Sequence, residues 1–313
     1  MTREHVYGAL FGVAIGDALG VPAEFMSRAS LKLNPIKDFV GYRSHNQPPG
    51  TFSDDSSLTF CLAASLCRGF DLEDIGKRFV DWQSKGYWTA GGNVFDIGMT
   101  TSRAINRLKT GARADLAGDF DEDANGNGSL MRILPLLFHI KGMEIGERYR
   151  TIMKVSSITH GHVRSVIACF YYLEFALRLL NGKSKTEAYA ETAKSVSDFL
   201  VSEEIVQTEI DLFAPLLVNE ITQRSIDSIH SHGYVMHTIE ASMYCFMTTD
   251  NYQDAVLMAV NLGSDADTTA AVTGGLAGLY YGHSAIPSKW LKGIRRSADI
   301  TDLCELMYVS FSS

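Results

Sequence analysis

Cysteine is scarce in this chain of 313 residues, and its distribution excludes two kinds of site. The five cysteines are an odd number, and no two of them form a CxxC pair. Disulfide frameworks use even numbers of cysteines and cysteine zinc sites use such pairs, so neither is indicated. We therefore expect reduced thiols and a cytoplasmic protein. The cysteines are Cys61, Cys67, Cys169, Cys245 and Cys304.

Positive charge is also in short supply. The chain has 28 lysines and arginines against 36 aspartates and glutamates, which gives a formal net charge of −8. Because nucleic acids and anionic membranes are bound by clusters of lysine and arginine, we expect no nucleic-acid footprint. A local basic pocket for one phosphate remains compatible with this charge.

Long uninterrupted apolar runs are missing as well. A membrane-spanning helix needs roughly 18 or more consecutive apolar residues, and no stretch reaches that length. The apolar run Val6–Val21 contains Asp17 and four glycines, and both acidic and basic residues precede it. These features are not those of a signal peptide, so we predict a buried helix here and no membrane span.

The helical period, by contrast, runs through most of the chain. Apolar residues recur at spacings of three and four, whereas alternating β-branched runs are nearly absent, so the sequence predicts an all-α fold. The predicted helices are His5–Leu19, Leu58–Cys67, Ile75–Gln83, Phe95–Leu108, Leu130–Phe138, Gly146–Ser157, Val163–Leu180, Lys185–Val201, Glu204–Asn219, Tyr234–Thr248, Tyr252–Leu262, Asp267–Tyr281 and Leu303–Phe311.

One domain over residues 1–313 is the simplest organisation. The hydrophobic fraction of 46% is enough for a sizeable core, and no repeat, low-complexity tract or proline-rich linker interrupts the helical pattern. The small residues of Ala270–Gly278 allow close helix contact, which we place inside the protein rather than at a dimer interface. We therefore predict a monomer. Glycine- and asparagine-rich breaks lie at Pro48–Thr51, Thr89–Asn93, Ala124–Ser129 and Gly263–Asp267.

Two clusters of carboxylates and hydroxyls stand at predicted helix starts. Ser53–Ser56 reads Ser-Asp-Asp-Ser, and Gly263–Thr269 contains Asp265 and Asp267 with three hydroxyl residues. Either cluster alone is also explained by helix capping, since serine and aspartate suit a helix N-terminus. Together they suit one hard cation site, because Mg²⁺ and Mn²⁺ prefer oxygen ligands and uncompensated carboxylates repel one another. Zinc fits less well, since neither cluster contains histidine or cysteine.

Three further segments carry polar residues at helix ends. Glu24 follows the first helix and either joins the metal site or is an exposed acid, whereas Asp17 lies inside the apolar run and could anchor a helix. The glycine loop Ala124–Ser129 has exposed N–H groups that suit a phosphate, and Arg132 lies one helical turn further on. The histidines of Thr159–His162 are either ligand contacts or ordinary caps.

Taken together, six segments resemble the ADP-ribosylglycohydrolase family, which includes dinitrogenase reductase-activating glycohydrolase and the ADP-ribosylarginine hydrolases. The resemblance runs from Gly8 to about Trp290. The segments, in order, are GALFGVAIGDALGVPAEF, GTFSDDSSLTF, FDIGMTTSRAI, NGNGSLMR, SSITHGH and NLGSDADTTAAVTGGLAGLYYG.

This resemblance implies an all-α fold with a binuclear Mg²⁺ or Mn²⁺ centre in a cleft that holds ribose hydroxyls. The metal ligands it implies are Ser53, Asp54, Asp55, Asp265, Asp267 and Thr268. Ser53 stands where relatives often have threonine, which keeps the hydroxyl oxygen. Glu24 matches a glutamate near the metals, and Asp96 matches an acid implicated in catalysis, so these two are the candidate catalytic residues.

The resemblance also implies the contacts to substrate. His160 matches an active-site histidine, and the residues matching the loop that approaches the diphosphate are Asn127, Gly128 and Ser129. Met99 departs from the pattern, since the bacterial relative has asparagine there, which leaves the details of substrate contact open.

The predicted function is metal-dependent hydrolysis of the bond between ADP-ribose and a modified protein side chain, with arginine as the favoured linkage. Asp96 or Glu24 would handle the proton. Serine-linked, nucleic-acid-linked and small-molecule ADP-ribose are alternatives, because they share the anomeric chemistry and a fold does not fix the substrate. A different class of function is an immunity or regulatory protein that binds an ADP-ribosyltransferase toxin. A third is a relative that has lost activity.

Overall fold

The structure, a computed structural model, describes residues 1–218 and 220–312. In these ranges the chain forms sixteen α-helices and six short 3-10 helices, with two isolated β-bridges and no β-strand. The all-α prediction is therefore confirmed. The α-helices are α1 (Arg3–Gly20), α2 (Arg28–Leu33), α3 (Asp54–Leu66), α4 (Leu72–Lys85), α5 (Met99–Lys109), α6 (Leu136–Ile140), α7 (Ile145–Ser156), α8 (Val163–Leu180), α9 (Lys185–Ser202), α10 (Gln207–Leu212), α11 (Ala214–Leu217), α12 (Val235–Met247), α13 (Tyr252–Val260), α14 (Ala266–Tyr281), α15 (Ser288–Gly293) and α16 (Ser297–Phe311).

Most predicted helices are present, but several have different bounds. Helix α5 begins at Met99 rather than Phe95, because Asp96 has a left-handed backbone (φ 57°) that a helix does not allow. The predicted helix Leu130–Phe138 was wrong over its first six residues, which form buried turns before α6. The predicted helix Glu204–Asn219 is divided into α10 and α11, and Asn219 lies outside the described residues.

The short helices α2 and α15 were not predicted. Helix α16 was predicted only in part, since it begins at Ser297, six residues before the predicted start. The six-residue helices α2 and α15 carry too few residues for an apolar period. Such elements are stabilised by tertiary contacts rather than by their own pattern.

Helices α1 and α14 form the centre of the fold, and glycines bring their backbones into contact. A Cβ atom at Gly12 would lie 2.2 Å from the carbonyl oxygen of Gly274, and one at Gly8 would lie 2.0 Å from that of Gly278. The small residues of α14 therefore serve an internal helix pair. The segment Arg3–Ala23 is long and apolar enough to cross a membrane, yet 94% of its most apolar stretch is buried inside the protein. The prediction of a buried helix is confirmed.

This helix pair also brings three helix ends together. The C-terminal end of α1 lies against the N-terminal end of α14, where a Cβ atom at Gly20 would lie 2.2 Å from the Cα atom of Asp267. Asp17 of α1 accepts hydrogen bonds from the backbone N–H groups of Ser53 and Ser56 at the start of α3. Both predicted carboxylate clusters thus lie at the end of α1.

Candidate active site

The first carboxylate cluster is held by a buried acid from α1. Asp17 accepts the N–H group of Ser53 at 2.9 Å and the N–H and hydroxyl groups of Ser56 at 3.0 and 2.5 Å. The hydroxyl oxygen of Ser53 caps α3 by accepting the N–H of Asp55 at 3.2 Å. These bonds confirm the anchoring role considered for Asp17. They fix the backbone that carries Asp54 and Asp55.

The second cluster lies at the start of α14 and touches the first. Thr268 donates its hydroxyl to one carboxylate oxygen of Asp55 at 3.3 Å, although the two residues are 213 positions apart in the sequence. Asp265 precedes the helix and accepts the side-chain amide of Asn127 at 2.7 Å. The structure therefore joins the two predicted clusters into one acidic site.

Two groups in this site have the geometry of a cation site. Ligand atoms of Glu24, His45, Asp96 and Asp267 lie within 4.8 Å of one another, and so do those of Asp17, Asp55 and Asp267. Asp267 belongs to both groups. The shared carboxylate therefore lies between two places where a cation could bind, in keeping with the oxygen ligands that Mg²⁺ and Mn²⁺ prefer.

Unsatisfied oxygens support this interpretation. One carboxylate oxygen of Asp55 and one of Asp267 are buried without a hydrogen-bond partner among the described residues. A buried carboxylate oxygen without a partner is costly, and a bound cation removes that cost. The residues present therefore fit a divalent metal.

The charge of the site is strongly unfavourable when no cation is bound. Burial, reinforced by neighbouring carboxylates, raises the pKa values of Asp54, Asp55 and Asp267 well above the usual aspartate range. Burial also raises the pKa of Asp17 to about 6, even though its hydrogen bonds act in the opposite direction. A cation would favour the ionised form of all these groups.

His45 is a member of the site that the sequence did not reveal. Its Nε2 atom is paired with a carboxylate oxygen of Glu24, and this contact raises the pKa of His45. Burial raises the pKa of Glu24 to about 7, although His45 opposes that shift. His45 lies in a loop with no periodic pattern, so only the three-dimensional structure places it beside Glu24.

A cleft of about 330 Å³ opens at the acidic site. Its rim carries two large apolar side chains, Phe25 and Met99, which are 73% and 80% exposed. Ser53, Asp55 and Asp267 are buried and do not line it. The predicted site residues that do line it are Glu24, Asp54, Asp96, Asn127, Gly128, His160, Asp265 and Thr268.

The residues of the predicted diphosphate loop differ in where their side chains lie. Gly128 lies so close to His160 that a Cβ atom would be 2.7 Å from its Cε1 atom. The side-chain amide of Asn127 donates two hydrogen bonds within the protein, one to Asp265 and one to the hydroxyl of Thr238. Ser129 is fully buried and accepts a hydrogen bond from Ser156, so its side chain does not reach the cleft.

The comparisons with known proteins agree with this architecture. The sequence profile of the family described as ADP-ribosylglycohydrolase matches residues 1–312. ADP-ribosylarginine hydrolase Tri1 of Serratia proteamaculans (strain 568) is 35% identical over 308 residues, which cover 96% of this chain and 78% of the relative. ADP-ribosyl-[dinitrogen reductase] glycohydrolase of Rhodospirillum rubrum is 27% identical, and the alignment covers 95% of each chain.

A solved structure, the ADP-ribosylglycohydrolase-related protein complex, has a TM-score of 0.82 against this chain. The two are 28% identical, and the match covers 98% of each. The resemblance stated from the six sequence segments is thereby confirmed. With a family profile over nearly its whole length, the chain belongs to the ADP-ribosylglycohydrolase family.

Proposed function

We propose that this protein hydrolyses the glycosidic bond between ADP-ribose and the arginine side chain of a modified protein. The observation that carries the proposal is one acidic cluster, built from three helix ends, at a cleft that Asp96 and Glu24 also line. The relatives from Serratia proteamaculans and Pseudomonas putida, at 35% and 33% identity, are both named ADP-ribosylarginine hydrolases. These relatives favour arginine among the linkages.

Metal dependence is typical of this family, and the two groups of ligand atoms favour our proposal that two divalent cations, Mg²⁺ or Mn²⁺, bind here. When bound, such cations supply positive charge that orients oxygen ligands and stabilises negative charge developing in the reaction. The residues that would hold them are Ser53, Asp54, Asp55, Asp265, Asp267 and Thr268. Asp17 already accepts hydrogen bonds at both carboxylate oxygens, so we assign it to positioning α3.

The chain's own acids account for proton transfer. Water adds its hydroxyl to the anomeric carbon of ribose, the carbon–nitrogen bond breaks, and the guanidine nitrogen of arginine receives a proton. Without a bound cation, burial raises the pKa of Glu24 to about 7, so its carboxyl can hold or release a proton near neutral pH, which suits an acid or base. Asp96 lies in the same ligand group as Glu24 and is the other candidate for this role.

Release of ADP-ribose from an arginine-ADP-ribosylated protein tests the proposal. The assay compares wild type and Asp267→Ala, each with Mg²⁺, with Mn²⁺ and with EDTA, and runs a serine-linked substrate in parallel. We expect metal-dependent release from arginine that is lost in the variant. Exclusive release from serine would overturn the arginine assignment. Full turnover in EDTA or in Asp267→Ala would overturn the metal site.

A further inference from the structure

A buried arginine behind the cleft is not paired with any acid that the structure describes. Arg132 is fully buried, and no carboxylate among the described residues lies within ion-pair distance of its guanidinium. In the part of the chain that the structure describes, its Nε and Nη1 atoms have no hydrogen-bond partner, and the group lies 4.8 Å from the ring centroid of Phe79. Burying an unpaired cation is costly, which points to a role for the remaining contacts of Arg132.

Those contacts lead directly to the cleft. The Nη2 atom of Arg132 donates to the hydroxyl oxygen of Thr159 at 2.7 Å and to the carbonyl oxygen of Val155 at 3.3 Å. The Thr159 hydroxyl also lies 2.9 Å from the Nδ1 atom of His160. His160 lines the cleft, and its Nε2 atom lies 3.4 Å from the position of a Cβ atom at Gly126.

The donor and acceptor capacities of these groups give the direction of the hydrogen bonds from Arg132 to His160. Arginine only donates, so the Thr159 oxygen must accept from Arg132. Thr159 is fully buried, and Nδ1 of His160 is the acceptor that the described residues leave for its O–H group. An imidazole that accepts at Nδ1 carries its proton at Nε2.

We propose that Arg132 and Thr159 are positioning residues that hold His160 as the neutral tautomer protonated at Nε2, so that this N–H group donates to an oxygen of ADP-ribose. Nε2 has no hydrogen-bond partner among the described residues, so its proton is available to a ligand. Neither nitrogen then offers a free lone pair in the cleft. His160 therefore binds substrate and does not act as the general base.

The inference rests on the proposed function only in taking ADP-ribose as the ligand. Two other features agree with it. Burial lowers the pKa of His160 to about 3, and nearby Arg132 acts in the same direction, so the imidazole stays neutral at physiological pH. The ring also lies close against Gly128 of the loop, where an added Cβ atom would be 3.3 Å from Nε2.

Nuclear magnetic resonance of histidine-labelled protein gives the most direct test. Two-bond ¹H–¹⁵N correlations of the holoenzyme with Mg²⁺ distinguish the two neutral tautomers, and His160→Gln assigns the resonance. We expect the Nε2–H tautomer with a hydrogen-bonded Nδ1. A proton on Nδ1 in the wild-type protein would overturn the proposal, and this result does not depend on any variant folding.

A matched pair of variants tests the positioning role. Thr159→Val removes the hydroxyl at nearly constant shape, whereas Thr159→Ser keeps it. We expect Thr159→Val to weaken ADP-ribose binding about 2- to 10-fold, the range expected for one hydrogen bond, and to raise KM with kcat nearly unchanged. Thr159→Ser should restore the wild-type values and the wild-type imidazole signal.

Equal ADP-ribose affinity and equal imidazole signals in Thr159→Val and Thr159→Ser would overturn the proposal. Calorimetry with ADP-ribose itself and the magnetic resonance measurement require no turnover. If the protein releases no ADP-ribose from arginine, the proposed function fails while both of these measurements remain decisive for His160.

Discussion

The two carboxylate oxygens of Asp267 have different roles in this site. One of its carboxylate oxygens accepts the N–H group of Thr268, and the other is buried without a partner. Because it belongs to both candidate ligand groups, no other described carboxylate is placed to substitute for it in both. The residue therefore stabilises the start of α14 with one oxygen and offers the other to a cation.

Replacing this carboxylate by its neutral isostere should separate stability from activity. In EDTA we expect Asp267→Asn to melt at a higher temperature than wild type, because one of several repelling buried charges is gone. With Mg²⁺ the variant should gain no thermal stability and should lose at least about 100-fold in turnover, or about 2.7 kcal/mol. Thermal melting and the ADP-ribose release assay measure the two effects.

Asp302→Asn is the matched control for this experiment. Asp302 is an exposed acid on α16, away from the cleft, so its neutralisation should change neither the melting temperature in EDTA nor the response to Mg²⁺. A wild-type response to Mg²⁺ in Asp267→Asn would contradict the assignment of Asp267 as a metal ligand.

Gly128 offers a second test at the residue scale. A methyl group there would lie 2.7 Å from Cε1 of His160 and 2.9 Å from the hydroxyl oxygen of Thr101, and His160 is too buried to move freely. We expect Gly128→Ala to lower the free energy of unfolding by about 1 to 3 kcal/mol, the usual effect of overpacking. It should weaken ADP-ribose binding as well.

Gly98→Ala provides the comparison, because Gly98 also lines the cleft but its nearest neighbour to an added Cβ is 4.0 Å away. Its stability should equal that of wild type within about 0.5 kcal/mol. Equal losses in both variants, measured by denaturant unfolding, would show that contact with His160 is not the cause.

The residues of the candidate site could be predicted from the sequence where they form a local pattern. Asp54, Asp55, Asp265 and Asp267 stand out because acids paired with hydroxyls at two helix starts already suit a hard cation. His45 has no such pattern, since it reaches Glu24 only through the course of a loop. The inward orientation of the Ser129 side chain could not be predicted either, because sequence spacing does not determine which way a turn residue points.

At the scale of elements, the glycines of α1 decide how close two helices come. Gly8, Gly12, Gly16 and Gly20 are four residues apart and all contact the backbone of α14. The close approach allows the C-terminal end of α1 and the N-terminal end of α14 to share one acidic site. Geometry at the site is thus set by a contact that begins several turns away.

Gly12→Ala should therefore affect the site as well as the fold. Its Cβ atom would lie 2.2 Å from the carbonyl oxygen of Gly274, which is backbone and has little freedom to yield. We expect a loss of at least about 3 kcal/mol in the free energy of unfolding, at the upper end of overpacking effects, and weaker Mg²⁺ binding. Denaturant unfolding and calorimetry measure these quantities.

Gly142→Ala is the control, since an added Cβ there meets nothing within 4 Å and the residue is exposed. It should leave both stability and Mg²⁺ binding unchanged. If Gly12→Ala were as stable as Gly142→Ala, close helix contact would not be what holds α1 against α14.

Among the helices, the long amphipathic ones could be predicted from the sequence, whereas the short ones could not. Helices α8 and α9 each span 18 residues and match their predicted bounds closely, because several turns repeat the same apolar spacing. Residues 130–135 also carry apolar spacing but form turns, since buried turns and buried helices share composition. The late start of α5 depends on the left-handed backbone of Asp96, which no local pattern indicated.

For the whole molecule, the acidic site couples stability to pH in a direction opposite to that of ordinary surface acids. A carboxyl group with a higher pKa in the folded protein than in the unfolded chain stabilises the fold fully only below its unfolded pKa, about 4. That contribution is lost as the pH rises through the folded pKa. For Asp17 and Glu24 the folded pKa values are about 6 and about 7, so the loss falls between about pH 4 and pH 7.

The melting temperature in EDTA should therefore fall as the pH rises from about 5 to about 7.5. Mg²⁺ binds the ionised carboxylates, so added Mg²⁺ should oppose this fall, and the difference between the Mg²⁺ and EDTA curves should widen with pH. At a concentration 100 times its dissociation constant, Mg²⁺ contributes about 2.7 kcal/mol, which corresponds to a rise of about 5 °C in the melting temperature.

The titration of groups far from the site cancels in this difference, because both curves come from the same protein at the same pH. A difference that stays constant across the range would mean that cations do not compete with protons at these carboxylates, and the metal site would have to be assigned elsewhere.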